Sequence, residues 1–238
     1  MFKNVFIPYG GWVGNVQRNT FNDIRLENPF ISEDANLQNT IQKSNLFAGV
    51  RGSLSSKFTF NLSASFQKFD SMYFYTPDNI SSYGNKFQMT FDNLSQTSFM
   101  GEITYQDSEK LKVSAKGEYF IYDPLNELFA WQKPEFLITL SALLDLSDKI
   151  IVKSDIYLLG KRTVFSHHEP QISSSFEDGK YIYTLNPLID MNLSAEYRYN
   201  KKVSGFIQFN NFIGRKYQYW SNFPVQSINI LGGVTFSF

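Results

Sequence analysis

The feature that most constrains the fold is a strict alternation of apolar and small polar residues. The carboxy-terminal segment SINILGGVTFSF shows it most clearly. Reading back from Phe238, every second residue is apolar or glycine, and the residues between them are mostly small and polar. This period of two is typical of a β-strand whose two faces meet different surroundings.

Several earlier segments repeat the pattern, among them FTFNLSASF, LKVSAKGEYFIY and IDMNLSAEYRY. We predict ten strands in an all-β fold, near 3–16, 44–55, 57–75, 86–106, 110–123, 135–147, 149–163, 187–199, 202–213 and 226–238. The stretch 86–106 could instead be a hairpin that turns at DNLSQT. The order of the turns favours one long, bulged strand, because a hairpin there would move every later tight turn to the other side.

The connections alternate between short and long. Short polar turns that end in lysine precede Phe58, Leu111, Ile150 and Val203, whereas long irregular stretches occupy 17–43, 76–85, 124–134, 164–187 and 214–225. In an up-and-down barrel all short turns lie at one end and all long loops at the other. The sequence therefore predicts an antiparallel up-and-down β-barrel of about ten strands, complete or part of a larger one.

The composition of the two faces favours a membrane barrel over a soluble β-sandwich. The polar faces carry Ser, Thr, Asn and Gly with scattered charges of both signs, and the apolar faces often end in aromatic residues such as Tyr197 and Tyr199. Aromatic rings favour the boundary between membrane and water. The mean hydropathy of −0.27 does not argue against a membrane, because alternating strands average to mild polarity.

One short helix is expected in the first long loop. In NTFNDIRLENPF, Phe21, Ile24 and Leu26 can share a face, and Pro29 ends the pattern.

Other classes of function lack their signals. The net charge is zero, which gives no reason to expect a nucleic-acid partner, and the chain has no cysteine for a thiolate metal site. His167, His168 and Glu169 are the only histidine cluster, but adjacent histidines on an extended chain point to opposite sides. We therefore expect no enzyme, no metal site and no cofactor.

Nine charged residues are expected on the polar face, inside the barrel: Arg51, Glu102, Lys112, Lys116, Glu118, Lys153, Asp155, Glu196 and Arg198. They could guide a solute or contact a plug, or they could pair across neighbouring strands and stabilise the barrel. We expect the second role, since small barrels need such pairs.

The sequence resembles a known family. The ending ILGGVTFSF is similar to the terminal assembly signal of outer-membrane β-barrels. The longer stretch VSGFIQFNNFIGRKYQYWSNFPVQSINILGGVTFSF, with the phrases NVQRN, ENPF and WQKPEF, resembles the barrel of TonB-dependent receptors of the Bacteroidota type. Such receptors also carry a signal peptide, a TonB box and a plug domain, none of which is visible here, and their barrels have about 22 strands. We expect residues 1–238 to form one barrel domain of this kind.

The resemblance implies a role and two groups of site residues. The parent protein would take up a scarce solute through the outer membrane of a bacterium, with TonB acting through the absent plug. The alternative is a structural or adhesive barrel that transports nothing. The barrel-assembly machinery would read Ile230, Val234, Phe236 and Phe238, and this last strand would close the barrel. The loop residues Tyr217, Tyr219 and Trp220 could stack on a ligand, or they could form part of an aromatic girdle.

Overall fold

The computed structural model describes residues 5–78, 84–147, 149–168, 170, 172 and 174–237. Ten antiparallel strands form the main sheet. In chain order they are β1 (Val5–Gln17), β2 (Thr40–Ser53), β3 (Phe58–Pro77), β4 (Phe87–Asp107), β5 (Leu111–Pro124), β6 (Phe136–Ser147), β7 (Ile150–Leu159), β11 (Leu188–Arg198), β12 (Val203–Asn210) and β15 (Asn229–Phe236). Each strand pairs with the one that follows it in this series, so the predicted all-β, up-and-down fold is confirmed.

The remaining elements lie within long connections. Helix α1 (Phe21–Glu27) joins β1 to β2. A three-stranded sheet of β8 (Arg162–Ser166), β9 (Ser175–Glu177) and β10 (Lys180–Leu185) lies between β7 and β11, and the short pair β13 (Gln218–Trp220) and β14 (Phe223–Pro224) lies between β12 and β15. The sequence pattern did not predict these five short strands. No helix in the described ranges is long and apolar enough to cross a membrane.

All long connections lie at one end of the sheet. The β3–β4 connection is one of them, because β4 is a single strand that pairs with β5 without interruption from Leu94 to Asp107. The prediction of one long strand at 86–106 is therefore confirmed. The bulge lies in its partner β3 rather than in β4: two residues lie between Phe69 and Met72, opposite the single residue Asn93 of β4, and Ser71 there has a positive φ of 55°.

The two faces of the sheet keep their character from strand to strand. Leu193 pairs with Phe209, which pairs with Ile230, so these apolar residues form a row on one face. On the opposite face Glu102 pairs with Lys116. The register places all nine predicted charges on this polar face, as expected.

The ion pairs among those nine charges differ from the expectation. Lys116 Nζ lies 3.0 Å from Glu118 Oε2, and Arg198 Nε lies 3.2 Å from Glu196 Oε1. Both pairs join residues two positions apart on one strand. Side chains at i and i+2 share a strand face, which allows this contact. The expected pairing across strands is not seen among these nine residues.

A glycine on the polar face of β2 allows an aromatic ring to lie across the sheet. A Cβ at Gly49 would lie 2.5 Å from Cζ of Tyr9. The ring therefore passes over this backbone, and the Tyr9 hydroxyl donates a hydrogen bond to Asn61 Oδ1 at 2.7 Å. This contact joins β1 to β3 across the strand between them.

Helix α1 begins where the sequence predicts it. Thr20 is the N-cap, and its Oγ1 accepts a hydrogen bond from the backbone N–H of Asp23. Ile24 is buried at 1% exposure and Phe21 packs beside it, but Leu26 is 77% exposed. The prediction that Leu26 shares the buried face is wrong: this helix of about two turns presents only the Phe21–Ile24 edge to the sheet.

The main sheet has two edges. Among the described residues β1 pairs only with β2, and β15 pairs only with β12. Closure of a barrel would require each of these edges to pair with another strand, so the closing role of β15 stays a prediction.

Candidate binding chamber at the long-loop end

The β3–β4 hairpin organises the long-loop end. Beyond Phe69 it continues past the other strands, and its side chains alternate between two packed clusters. Tyr73 and Tyr75 point to one cluster, whereas Phe74, which is fully buried, points to the other. Both faces of the extended hairpin are therefore covered by loop residues.

The first cluster joins the first and last long connections. Ile24 and Ile31 of the first connection pack with Tyr75 of the hairpin, and so does Trp220 of the last connection, whose ring is edge-on to Tyr75 with ring centroids 4.8 Å apart. The cluster also includes Phe87 and Met89 of β4.

The second cluster joins the middle connections. Trp131 lies edge-on to Phe165 of β8, with centroids 4.7 Å apart, and Ile182 of β10 and Leu94 of β4 complete the contact with Phe74. The β5–β6 loop and the β8–β10 sheet are thereby fixed to the hairpin.

Asp92 anchors the β5–β6 loop. Its carboxylate accepts hydrogen bonds from the backbone N–H groups of Asn126 and Glu127, each at 2.8 Å, and from Nδ2 of Asn126 at 2.7 Å. Burial alone would raise the pKa of Asp92, but these N–H donors outweigh burial and lower it below the usual value. The loop is therefore held by a charged acceptor in a fixed place.

Glu127 extends this anchor to the small sheet. Its Oε2 accepts a hydrogen bond from Nε1 of Trp131 at 2.7 Å and lies 3.9 Å from Nζ of Lys180. The Lys180 ammonium also lies 4.9 Å from the ring centroid of Phe165.

A chamber of about 140 Å³ lies among these loops. Its walls come from four of the long connections and from the ends of β3 and β7. The lining residues are Glu27, Tyr75, Trp131, Gln132, Lys133, Pro134, Leu159, Arg162, Tyr219 and Trp220. Aromatic rings, two cations, one carboxylate and one amide thus meet in a small space, a mixture typical of a binding site.

Arg162 is the most deeply buried charge of the chamber, with 2% of its surface exposed. Its Nη2 donates a hydrogen bond to the carbonyl of Gln218 at 2.8 Å, and its Nη1 donates to the carbonyl of Tyr219. The guanidinium also lies 5.6 Å from the ring centroid of Tyr219. Burial lowers the pKa of Arg162 to about 10. The side chain remains cationic at neutral pH and positions the β13 segment.

Glu27, Lys133 and Tyr73 form a second polar group at the edge of the chamber. The Tyr73 hydroxyl donates to Glu27 Oε2 at 2.7 Å, and Lys133 Nζ lies 4.7 Å from the Tyr73 ring centroid. Burial raises the pKa of the Tyr73 hydroxyl, and the contact with Glu27 raises it further. Burial lowers the pKa of Lys133, an effect that the charge of Glu27 opposes.

The predicted ligand-loop residues occupy different environments. Trp220 is 8% exposed and packs against Tyr75, so its ring belongs to the first cluster, whereas Tyr219 is 46% exposed. The Tyr217 hydroxyl donates to Asp190 Oδ2 at 2.6 Å, beside a separate cleft of about 490 Å³ that Arg215 and Lys216 also line. A ligand role for these three residues stays a prediction.

The predicted assembly residues lie on the edge strand β15. Ile230, Val234 and Phe236 are 62%, 76% and 55% exposed on its apolar face, and Phe238 lies outside the described residues. At the histidine cluster, His167 lies edge-on to Phe165, and Glu169 lies outside the described residues. No group of three or more potential metal-binding side chains occurs in the described part of the chain.

Solved structures show which fold this is. The chain is similar to the pyoverdine receptor FpvA of Pseudomonas aeruginosa, with a TM-score of 0.65 at 12% identity over 98% of this chain and 34% of that one. It is similar to the ferric-catecholate import receptor Fiu of E. coli K12, with a TM-score of 0.63 at 10% identity over 98% of this chain and 33% of that one. It is also similar to the copper transporter OprC, with a TM-score of 0.64 at 12% identity over 98% of this chain and 38% of that one.

The chain therefore has the fold of the barrel of TonB-dependent outer-membrane receptors, and it spans about a third of the length of the solved receptors that it matches. No protein-family model and no curated protein sequence matches it.

Proposed function

We propose that this chain belongs to the barrel of a TonB-dependent receptor that takes up a scarce solute across the bacterial outer membrane. The observation that carries the proposal is the up-and-down sheet with every long connection at one end, superposable on solved receptors over 98% of its length. In a membrane the apolar face contacts lipid, and the long-loop end faces the outside.

The chamber adds support at the level of single residues. The phrases ENPF and WQKPEF, which are part of the resemblance to the Bacteroidota type, supply Glu27, Trp131, Gln132, Lys133 and Pro134. These are half of the residues that line the chamber. In this proposal the loops of that receptor type recognise the solute through the chamber and its surroundings. The inner-membrane TonB complex acts through a plug domain, and the barrel-assembly machinery inserts the chain through its last strand.

Gene deletion in the native host tests the proposal. A strain without the gene is grown with scarce and with ample iron or copper, in backgrounds with and without TonB, and its metal content is measured. If the chain belongs to a receptor, deletion should lower the metal content of cells grown with scarce metal. It should cause no further decrease in the strain that already lacks TonB, because both losses block the same step.

The other reading, a structural or adhesive barrel, gives a different result. Deletion would then weaken attachment to surfaces or the integrity of the envelope to the same extent with and without TonB. That outcome, or a deficit that adds to the loss of TonB, contradicts the uptake role.

A further inference from the structure

A cationic cleft lies at the short-turn end of the sheet, opposite the long connections. It has a volume of about 550 Å³ and lies among the β6–β7 turn, the β11–β12 turn and the end of β15. Its lining includes four cations and one carboxylate, namely Lys149, Arg198, Lys201, Lys202 and Glu196. Glu196 Oε1 accepts a hydrogen bond from Arg198 Nε at 3.2 Å, whereas none of the three lysines has a carboxylate within 4.0 Å among the described residues.

The backbone fixes the two turns that carry these lysines. The carbonyl of Lys149 accepts a hydrogen bond from the backbone N–H of Arg198 at 2.7 Å. Asn200 Oδ1 accepts hydrogen bonds from the backbone N–H of Lys202 at 2.8 Å and from that of the next residue at 2.9 Å, which holds the turn of Lys201 and Lys202. Like charges held in one cleft repel one another, and an anion between them relieves that repulsion.

Elsewhere at this end a lysine is balanced by the chain itself. Lys57 Nζ lies 2.6 Å from Asp107 Oδ1. In the cleft, cations still outnumber carboxylates by four to two when Asp148, which lies outside the described residues, is counted from the sequence. The cleft therefore has an excess of positive charge that an anion from outside the chain can balance.

The cleft also reaches the apolar face of the sheet. Val203 is part of its lining and pairs with Phe236, which lies on the apolar face. Tyr199 lines the cleft as well and is 67% exposed. Aromatic rings favour the boundary between membrane and water, so the cleft offers contacts to both a charged and an apolar part of one ligand.

A gap in the apolar face begins beside the cleft. Gly205 lies two residues beyond Val203 on β12, and in the register it pairs with Tyr197 on one side and Val234 on the other. These two neighbours are 48% and 76% exposed, and they are separated by two strand spacings, about 10 Å. A Cβ at Gly205 would have one neighbouring heavy atom within 4 Å, the carbonyl oxygen of Gly233 at 3.9 Å. The space above Gly205 is therefore open, with room for an extended hydrocarbon chain.

We propose that this end of the sheet binds one anionic phospholipid, with its phosphate among Lys149, Lys201 and Lys202 and one acyl chain in the gap at Gly205. An acidic peptide would contact the lysines but would leave Tyr199 and the gap uncovered. A phospholipid contacts both, and clustered lysines beside a membrane surface attract anionic lipids. The inference goes beyond the proposed function and rests on it for the reading that the apolar face contacts lipid.

The test measures lipid binding to the purified chain refolded in detergent. Phosphatidylglycerol, zwitterionic phosphatidylcholine with the same acyl chains, and glycerol 3-phosphate are added separately, and bound molecules are counted by native mass spectrometry. We expect one phosphatidylglycerol to stay bound at detergent concentrations that remove phosphatidylcholine. Glycerol 3-phosphate should not bind, because it carries the charge without the chain, and a poly-glutamate peptide should not displace the lipid.

The headgroup contact is tested by removing charge. The triple variant Lys149→Gln, Lys201→Gln and Lys202→Gln changes exposed side chains only, and its affinity for phosphatidylglycerol should fall about tenfold or more. The matched control removes three exposed cations at the long-loop end by the substitutions Arg25→Gln, Lys86→Gln and Lys161→Gln, and its affinity should stay within about twofold.

The chain contact is tested by filling the gap without changing charge. Gly205→Val should lower the affinity for phosphatidylglycerol severalfold, because its side chain occupies the proposed position of the acyl chain. Gly117→Val is the matched control: Gly117 lies on the apolar face away from the cleft, and a Cβ there would also have one neighbour, Ile138 Cγ1 at 3.9 Å. Valine suits a strand, so both variants should fold, which circular dichroism checks.

Equal retention of the two phospholipids, or equal binding of phosphatidylglycerol by the folded triple variant, overturns the inference. Binding of glycerol 3-phosphate, displacement by the peptide, or an unchanged affinity of Gly205→Val shows a site for an anion alone and overturns the assignment to a phospholipid. The assay needs neither TonB nor uptake. A TonB-linked deficit in cells without preferential lipid binding contradicts the lipid site alone, and lipid binding without any TonB-linked deficit contradicts the uptake role alone.

Discussion

Phe30 stacks on Phe223, with ring centroids 3.6 Å apart and ring planes 15° from parallel. Phe30 lies between β1 and β2, whereas Phe223 lies between β12 and β15. The first and last long connections therefore meet over the β3–β4 hairpin, and one contact between two rings links the two ends of the sequence.

The stacked pair should be energetically coupled. Replacing Phe30 and Phe223 by alanine, singly and together, should give a coupling free energy of about 0.5–1.5 kcal/mol in denaturant unfolding of the refolded chain. Leu26→Ala is the control, because Leu26 is 77% exposed and should change stability little. Additive effects of the two phenylalanine replacements would show that the loops do not stabilise each other through this contact.

The Asp92 anchor should make stability depend on pH. Asp92 lies beyond the roughly 9–11 residues of β4 that cross a bilayer from the short-turn end. Its pKa is lowered in the folded state, so its stabilisation is present above the unfolded pKa of about 3.9 and is lost as the pH falls through the folded value.

Asp92→Asn places an amide N–H₂ against the donors of Asn126 and Glu127. The substitution should cost about 2–3 kcal/mol of unfolding free energy at pH 7, and this difference should shrink below about pH 4. Asp123→Asn, at an exposed position of β5, serves as the control. An Asp92→Asn penalty that is the same at pH 7 and at pH 3 would falsify the anchor.

The main sheet could be predicted from the sequence because the patterns that specify its strands and turns are local. The period of two and the lysine-bearing turns are each visible within a short segment, and the alternation of short and long connections follows from their order along the chain. The bulge at Ser71 is different, because nothing in QKFDSMYF marks where one strand gains a residue relative to its partner. Its position is a property of two strands together.

The chamber depends on contacts that are distant in sequence. Glu27, Tyr75, Gln132, Arg162 and Tyr219 lie in different connections or strand ends, and no local pattern brings them together. The one signal in the sequence is the alternating stretch RTVFS, which begins at Arg162 near the end of the predicted strand 149–163 and continues into the predicted long loop 164–187. Trp220 shows why the sequence alone is not enough. The aromatic residues around it suggest a surface on which a ligand could stack, but its ring is buried against Tyr75, which is far away in the chain.

The two faces of β11 should tolerate charge differently. Leu193 lies on the apolar face in a row with Phe209, and Ser194 lies on the polar face. Leu193→Arg should cost about 2–4 kcal/mol in folding titrations into lipid vesicles, whereas Ser194→Arg should cost much less, because only the first places a charge in hydrocarbon. Equal costs would mean that this face does not contact lipid.

The two ends of the sheet should differ in accessibility from outside the cell. Leu125 is 70% exposed in a long connection, and Ser56 is exposed in a short turn at the other end. Leu125→Cys should react with a membrane-impermeant maleimide in intact cells, and Ser56→Cys should react only after the outer membrane is permeabilised. Since the chain has no native cysteine, the unmodified protein is the background control. Labelling of Ser56→Cys in intact cells would reverse or break the assigned topology.

The last strand should carry a signal that refolding does not need. Ile230, Val234 and Phe236 are exposed along an edge strand that pairs only with β12 in the described residues. An edge strand offers backbone N–H and C=O groups for pairing with another chain. If the barrel-assembly machinery reads this strand and Phe238, deleting Phe238 should reduce assembly in cells severalfold yet leave refolding in detergent nearly unchanged. Phe176→Ala, at a 64% exposed loop aromatic, controls for general loss of an aromatic ring. Equal losses in cells and in detergent would instead assign Phe238 a structural role at the membrane boundary, and unchanged assembly in cells would remove the signal altogether.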